Sequence, residues 1–84
     1  MTLEAVRSVV GTVLQLGART KELSAATPLL GAIPELDSMA VVGVITALEE
    51  HFNISIADDE IDGAAFATLG SLTRFIDQKL LDSR

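Results

Sequence analysis

The sequence predicts an all-α fold: a small four-helix bundle with three main helices, one short helix and a long loop between helices 1 and 2. Apolar residues recur at helical spacing in three segments of the chain. The only aromatic residues are three Phe, so the core must be built from aliphatic side chains, which suits packed helices. With 84 residues, 49% of them hydrophobic, the chain is expected to form one domain over residues 1–84.

The first helix is predicted over residues 2–16, where Leu and Val recur at helical spacing. Thr2 can serve as its N-cap, and Gly17 can supply the left-handed residue that ends many helices. Residues 17–37 form the long connection, with a short turn expected near 21–25. Because an unstructured loop of this length is unusual in a small domain, its apolar residues are expected to pack back onto the helices: Leu23, Leu29, Leu30 and Ile33.

The second helix is predicted over residues 38–52, and Asp37 and Ser38 can cap it by accepting hydrogen bonds from N–H groups of its first turn. One face of its helical wheel is apolar and expected to be buried: Val41, Val44, Ile45, Leu48 and Phe52. The opposite face is small and mildly polar, unlike a solvated helix back rich in Lys, Glu and Gln: Met39, Gly43, Thr46 and Glu50, flanked by Ala40 and Ala47.

That outer face is a candidate partner surface. Gly43 in mid-helix costs roughly 1 kcal/mol relative to Ala, and close approach by another protein would explain it. The alternative is that Gly43 is tolerated in a helix held by its buried side.

Two elements are predicted after the second helix. Asp62 is expected to cap a short helix running to Phe66, and Thr68 to cap a last helix over residues 69–82. The last helix has a predicted buried stripe: Leu69, Leu72, Phe75, Ile76 and Leu80.

The acidic residues 58–62, followed by Gly63, match the first half of an EF-hand calcium loop. Leu69 falls where such a loop needs its last ligand, a bidentate Glu. An EF-hand and any other specific metal site are therefore not expected, and nonspecific binding of divalent ions by this loop is left open.

The negative charge is concentrated in the middle of the chain. The net charge is −6, and residues 35–63 contain eight Asp and Glu but no Lys or Arg. Nucleic acid is not an expected partner, because phosphate contacts need clustered Lys and Arg. A basic protein surface would be attracted, although the acids could also serve solubility alone. A membrane-spanning helix needs about 20 apolar residues, and no charge-free stretch of the chain is that long. Stable membrane insertion is therefore not expected, and we expect a soluble cytoplasmic protein.

Independent catalysis is not expected either. Ser38 and the single His, His51, lie at opposite ends of the predicted second helix, about 20 Å apart at 1.5 Å per residue. A Ser–His hydrogen bond needs about 3 Å. There is no Cys nucleophile and no Gly-rich phosphate loop.

The sequence resembles the acyl carrier protein family over most of its length. The resemblance rests on Leu36-Asp37-Ser38-Met39, on Ala47-Leu48-Glu49-Glu50-His51-Phe52 at the family's spacing, on the acidic run 58–62 and on Phe66-Ala67-Thr68-Leu69. It implies a four-helix carrier in which Ser38, between Asp37 and Met39, is esterified with 4′-phosphopantetheine. The thiol of that arm would carry an acyl or aminoacyl group as a thioester.

The resemblance also implies partners and a docking surface. The expected partners are a phosphopantetheinyl transferase, an acyl-loading ligase or synthase, and acyl transferases, with the carrier itself a monomer and not an enzyme. The implied docking residues are Glu35, Met39, Ala40, Gly43, Thr46 and Glu50.

Two departures from the family pattern indicate a dedicated pathway with more apolar docking. Pro34-Glu35-Leu36 replaces the usual Gly-containing lead to Asp-Ser, and three positions that are commonly acidic in the family are Ala40, Gly43 and Thr46. The segment 28–39 is similar to that of stand-alone carriers associated with exosortase and exopolysaccharide gene clusters. The alternative to a carrier is an unmodified helical module that binds partners through the outer face of the second helix.

Overall fold

The computed structural model describes residues 2–31, 33–57 and 59–82. The chain forms α1 (Thr2–Val13), a short 3₁₀ helix (Gly17–Glu22), α2 (Ser38–Phe52) and α3 (Leu69–Asp82). The described part contains no β-strand beyond an isolated bridge between Pro28 and Thr68. The predicted all-α fold, with three main helices, one short helix and a long loop between the first two main helices, is confirmed. Both α2 and α3 have the predicted bounds.

Helix α1 is shorter than predicted. It ends at Val13 because Gln15 adopts the left-handed conformation, with φ of 55°, that was expected of Gly17. The N–H of Leu16 then donates to the carbonyl of Gly11 at 2.9 Å, a hydrogen bond typical of helix ends closed by a left-handed residue. Gly17 also has a positive φ, of 58°, and begins the 3₁₀ helix. The early turn carries Leu16 into the core.

The short helix lies before α2 and not after it. Residues 63–66 form consecutive turns, so the predicted helix from Asp62 to Phe66 is wrong. The carboxylate of Asp62 still accepts hydrogen bonds from the N–H groups of Ala64 and Ala65, at 3.0 and 3.3 Å. The predicted cap therefore exists, but it closes a turn.

The core lies between the three main helices and receives side chains from the long loop. Leu23 and Leu29 are buried as predicted and Ile33 packs against the core, whereas Leu30 is 47% exposed. Leu36, just before α2, is also buried. The largest fully buried side chains are Leu29, Leu48, Leu69, Leu72, Ile76, Val6, Val10 and Val44.

Backbone hydrogen bonds fasten the long loop to the turns that precede α3. They satisfy loop N–H and C=O groups that would otherwise be left without partners near the core. The loop that leads to α2 is thus held in place although it contains little helix. The bonds join Leu29 N–H to Ala67 O, Leu30 N–H to Phe66 O, Leu69 N–H to Thr27 O and Gly70 N–H to Ala25 O, at 3.1, 3.0, 3.0 and 2.8 Å.

The start of α3 is capped as predicted. The hydroxyl of Thr68 accepts from the N–H of Ser71, and the hydroxyl of Ser71 accepts from the N–H of Thr68, both at 3.0 Å. This reciprocal pair satisfies two N–H groups at the helix start. Across the described residues, no helix is both long enough and apolar enough to span a bilayer.

Candidate functional site at the start of α2

Asp37 fixes the point at which α2 begins. Its backbone is extended, with φ of −95° and ψ of −175°, and its carboxylate accepts a hydrogen bond from the N–H of Ala40 at 2.8 Å. Its carbonyl accepts from the N–H of Val41 at 2.9 Å. Asp37 alone is therefore the N-cap, and Ser38, which was expected to share that role, is the first residue of the helix.

Ser38 is exposed, and its hydroxyl makes no hydrogen bond within the described residues. The N–H groups of Ser38 and Met39 likewise have no protein acceptor in that part of the chain, because Asp37 uses only those of Ala40 and Val41. Two donors and the positive end of the helix dipole therefore lie next to the Ser38 hydroxyl. A phosphate ester on that oxygen would find the donors and the field that anions prefer.

Two contacts hold the segment that precedes Asp37 in place. The buried side chain of Leu36 holds it to the core. An ion pair between the guanidinium of Arg19 and the carboxylate of Glu35 joins it to the 3₁₀ helix. A hydrogen bond from its own backbone N–H and the contact with Arg19 both lower the pKa of Glu35. Glu35 is thus an acid whose charge is already paired within the chain.

A cavity of about 310 Å³ lies on the side of α2 that faces the turns before α3. Val41 and Ile45, one and two turns after Ser38, form one wall. Most of the lining is apolar, so the cavity suits a hydrocarbon chain. The residues that complete the lining are Leu30, Ile56, Ala57, Ile61, Asp62, Gly63 and Phe66.

The exposed face of α2 is rotated from the predicted one. Met39 is 83% exposed, and Thr46 and Glu50 are exposed as expected. Gly43, however, faces α1: a Cβ atom added there would lie 3.4 Å from a methyl group of Val13. Gly43 therefore lies on the side of α2 that α1 covers, where an added methyl group would make an ordinary van der Waals contact.

Ala40 and Ala47, which were predicted to flank the outer face, are partly buried and pack against the core. Val42, which the sequence reasoning passed over, is 63% exposed. The only signal for it was its offset of four residues from Ser38, which places both on one side of the helix.

The acidic loop is engaged in structural contacts where it is described. Asp58 lies outside the described residues. The carboxylate of Glu60 pairs with Lys79 at 2.6 Å and accepts from the N–H of Ala57 at 2.9 Å, and these two contacts lower the pKa of Glu60. Among residues 2–31, 33–57 and 59–82 there is no group of three side chains able to hold a metal ion.

Ser38 and His51 do not meet. Helix α2 is continuous from Ser38 to Phe52, which separates the two side chains by about 20 Å at 1.5 Å per residue. The ring of His51 instead contacts that of Phe52, with centroids 4.8 Å apart.

Comparison with known proteins agrees with this geometry. The family model described as "phosphopantetheine attachment site" matches residues 4–76. An acyl carrier protein of Wolinella succinogenes is 46% identical over 41 residues, which are 49% of this chain and 51% of that protein, so the chain spans about half the length of this curated relative. The solution NMR structure of a holo acyl carrier protein from Nitrosomonas europaea is similar with 59% identity and a TM-score of 0.90, over 96% of this chain and 98% of that one.

Proposed function

Since the chain belongs to the acyl carrier protein family, whose cofactor is a covalently attached 4′-phosphopantetheine, we propose that Ser38 carries this arm. The observation that supports the assignment is an exposed hydroxyl on the first residue of α2, with two unused backbone N–H groups beside it. As a member of this family the chain is a carrier and not an enzyme.

The residues around Ser38 have separate tasks in this proposal. Asp37 holds the first turn of α2, so the hydroxyl has a fixed position when a transferase approaches. The N–H groups of Ser38 and Met39 donate to oxygens of the phosphodiester. When bound, the arm supplies a terminal thiol that can hold cargo as a thioester.

The cargo in this proposal is an acyl group. The cavity beside α2 begins one turn from Ser38 and is lined mainly by aliphatic side chains, which favours a hydrocarbon chain over a charged or strongly polar group. The partners that follow are a phosphopantetheinyl transferase, a ligase or synthase that loads the acyl group, and acyl transferases that remove it.

Intact-protein mass spectrometry tests the attachment site. After co-expression with a broad-specificity phosphopantetheinyl transferase, the wild-type protein is expected to gain the mass of one phosphopantetheine. Ser38→Ala is expected to gain nothing and to keep its helical circular dichroism, because Ser38 is exposed and its hydroxyl bonds to no described residue. Ser55→Ala, at another exposed serine, is the matched control and should be modified fully.

Two results would count against the proposal. Modification of the folded Ser38→Ala variant would place the arm on another residue. A wild-type protein left unmodified by several transferases would favour the alternative, an interaction module that uses the exposed side of α2 without an arm.

A further inference from the structure

The side chain of Leu30 lies at the edge of the cavity beside α2, between that space and the solvent. Among the large apolar side chains that are exposed in the described residues, it is the one that lines the cavity, and it is 47% exposed. One of its methyl carbons lies 3.8 Å from the position that a Cβ atom on Gly63 would occupy, in the turns before α3. Leu30 therefore covers part of the opening of the cavity on the side of these turns.

The backbone that carries Leu30 is held in place, whereas its side chain is not. The N–H of Leu30 donates to the carbonyl of Phe66 at 3.0 Å, and the N–H of Leu29 donates to that of Ala67 at 3.1 Å. The side chain of Leu29 is also fully buried, so the loop cannot move away without exposing it. An exposed side chain, by contrast, changes rotamer within picoseconds to nanoseconds. Rotation of the Leu30 side chain is thus sufficient to uncover this edge of the cavity.

We infer that Leu30 is a movable cover that retains the hydrocarbon chain of the cargo, so that this carrier holds long acyl groups in preference to short ones. The inference rests on the proposed attachment of the arm at Ser38 and on the acyl cargo proposed with it. The attachment identifies the occupant, because the cavity begins one turn from Ser38, at Val41. Contact with Leu30 replaces contact with water for the part of the chain that lies beneath it, and an acetyl group has no such part.

The size of the cavity fits a chain of intermediate length. An apolar protein cavity of about 150 Å³ is large enough to bind benzene. The cavity beside α2, with about 310 Å³, therefore has room for a chain of about eight carbons. An octanoyl group is accordingly a suitable long cargo for a test, and an acetyl group is the short reference.

Thermal melting of the acylated protein tests the role of Leu30. The transferase attaches the loaded arm from octanoyl-coenzyme A or acetyl-coenzyme A. A cargo that enters the cavity of the folded state raises the Tm, because the unfolded chain offers it no such site. The wild-type protein is expected to melt about 10 °C higher with octanoyl than with acetyl, since about six more methylene groups are buried at some cost in chain freedom.

Leu30→Ala is expected to lose about 3–6 °C of this difference, which corresponds to one methylene group of the cargo that is no longer covered. Comparing the two cargoes within each variant cancels the effect of the substitution on the fold itself. Leu30→Met keeps an apolar cover of similar volume and should retain the difference. Leu81→Ala is the matched control: it removes the same atoms from a leucine of α3 that is 59% exposed and does not line the cavity. It should change the difference by less than about 2 °C.

Three results would overturn the inference: equal Tm values of the octanoyl and acetyl forms of the wild type, a Leu30→Ala variant with the full wild-type difference, or a Leu81→Ala variant that loses as much as Leu30→Ala. Intact mass separates this inference from the proposed attachment. Addition of the acylated arm to the wild type and not to Ser38→Ala supports the attachment whatever the melting curves show. A wild-type protein that gains no mass would overturn the attachment, and the inference with it.

Discussion

Asp37 determines where the Ser38 hydroxyl lies more directly than any other side chain at the site. Its carboxylate and its carbonyl bind two successive N–H groups, of Ala40 and Val41. This pattern leaves the N–H groups of Ser38 and Met39 without an acceptor among the described residues, so Asp37 starts the helix and leaves free the two donors that the proposed phosphodiester needs. A cap that took those N–H groups instead would compete with a phosphate.

Replacement of Asp37 by Ala is expected to lower the free energy of unfolding by about 1 kcal/mol, because the first turn of α2 loses its side-chain acceptor. Urea denaturation followed by circular dichroism measures this change. Asp37→Asn keeps an acceptor oxygen in the same place and should retain most of the stability. If the Ala and Asn variants proved equally stable, the hydrogen bond would not be what holds the helix start.

At the level of helices, Gly70 and Gly43 differ in whether the neighbouring chain leaves room for a side chain. A Cβ atom on Gly70, in the first turn of α3, would lie 2.8 Å from the carbonyl oxygen of Ala25, closer than such atoms approach. The N–H of Gly70 also donates to that oxygen, so the loop cannot move away without losing a hydrogen bond. A Cβ atom on Gly43 would make an ordinary contact with Val13.

Gly70→Ala and Gly43→Ala are therefore expected to change the Tm in opposite directions. Gly43→Ala gains helix propensity of up to about 1 kcal/mol, which for a domain of this size raises the Tm by about 4–8 °C. Gly70→Ala is expected to lower the Tm although it gains the same propensity, because the backbone of the loop must shift. Differential scanning calorimetry of both variants provides the comparison, and an equal rise in both would contradict the close approach at Gly70.

The sequence was sufficient for α2 and α3 because strong caps, Asp37 and Thr68, coincide with the start of helical periodicity. It was insufficient for the end of α1, where Gln15 adopts the left-handed conformation that is usually found at glycine. The outer face of α2 was misplaced for a different reason. A helical wheel takes no account of a neighbouring helix, and α1 covers the side that contains Gly43. Ser38 could be chosen as the candidate attachment site from its neighbours in the sequence. The exposure of Val42 could be seen only once the packing of the helices was known.

For the molecule as a whole, an ion pair between Glu60 and Lys79 connects the described part of the acidic loop to α3. Lys79 is only 18% exposed in its contact with Glu60, and the same carboxylate accepts from the N–H of Ala57. Ala57 also lines the cavity beside α2. The pair with Lys79 therefore anchors one wall of that cavity to α3.

Acid is expected to weaken this connection. The pKa of Glu60 is lowered from its usual 4.5, first by Lys79 and then by the N–H of Ala57. A group whose pKa is lower in the folded state stabilises the fold above its unfolded pKa, and this contribution is lost as the pH falls through the folded pKa. Thermal melts taken at successively lower pH, starting above 4.5, should show a shallower loss of Tm in Glu60→Gln than in the wild type.

Glu22→Gln is the control for that measurement, because Glu22 is exposed and forms no ion pair in the described segments. It removes the same charge and should leave the acid dependence close to that of the wild type. If both variants changed the pH dependence of the Tm equally, overall charge, and not the Glu60–Lys79 pair, would govern the loss of stability in acid.

The hydrogen bonds between the long loop and the turns before α3 bear on the timing of biosynthesis. Residues 25–30 leave the ribosome well before residues 66–70, which provide their backbone partners. While the nascent chain is still short, the loop that leads to Ser38 has no fixed path and the cavity wall that contains Phe66 does not exist. An enzyme that requires Ser38 in its folded position must therefore wait until almost the entire domain has emerged. Attachment of the arm is then a step that follows translation.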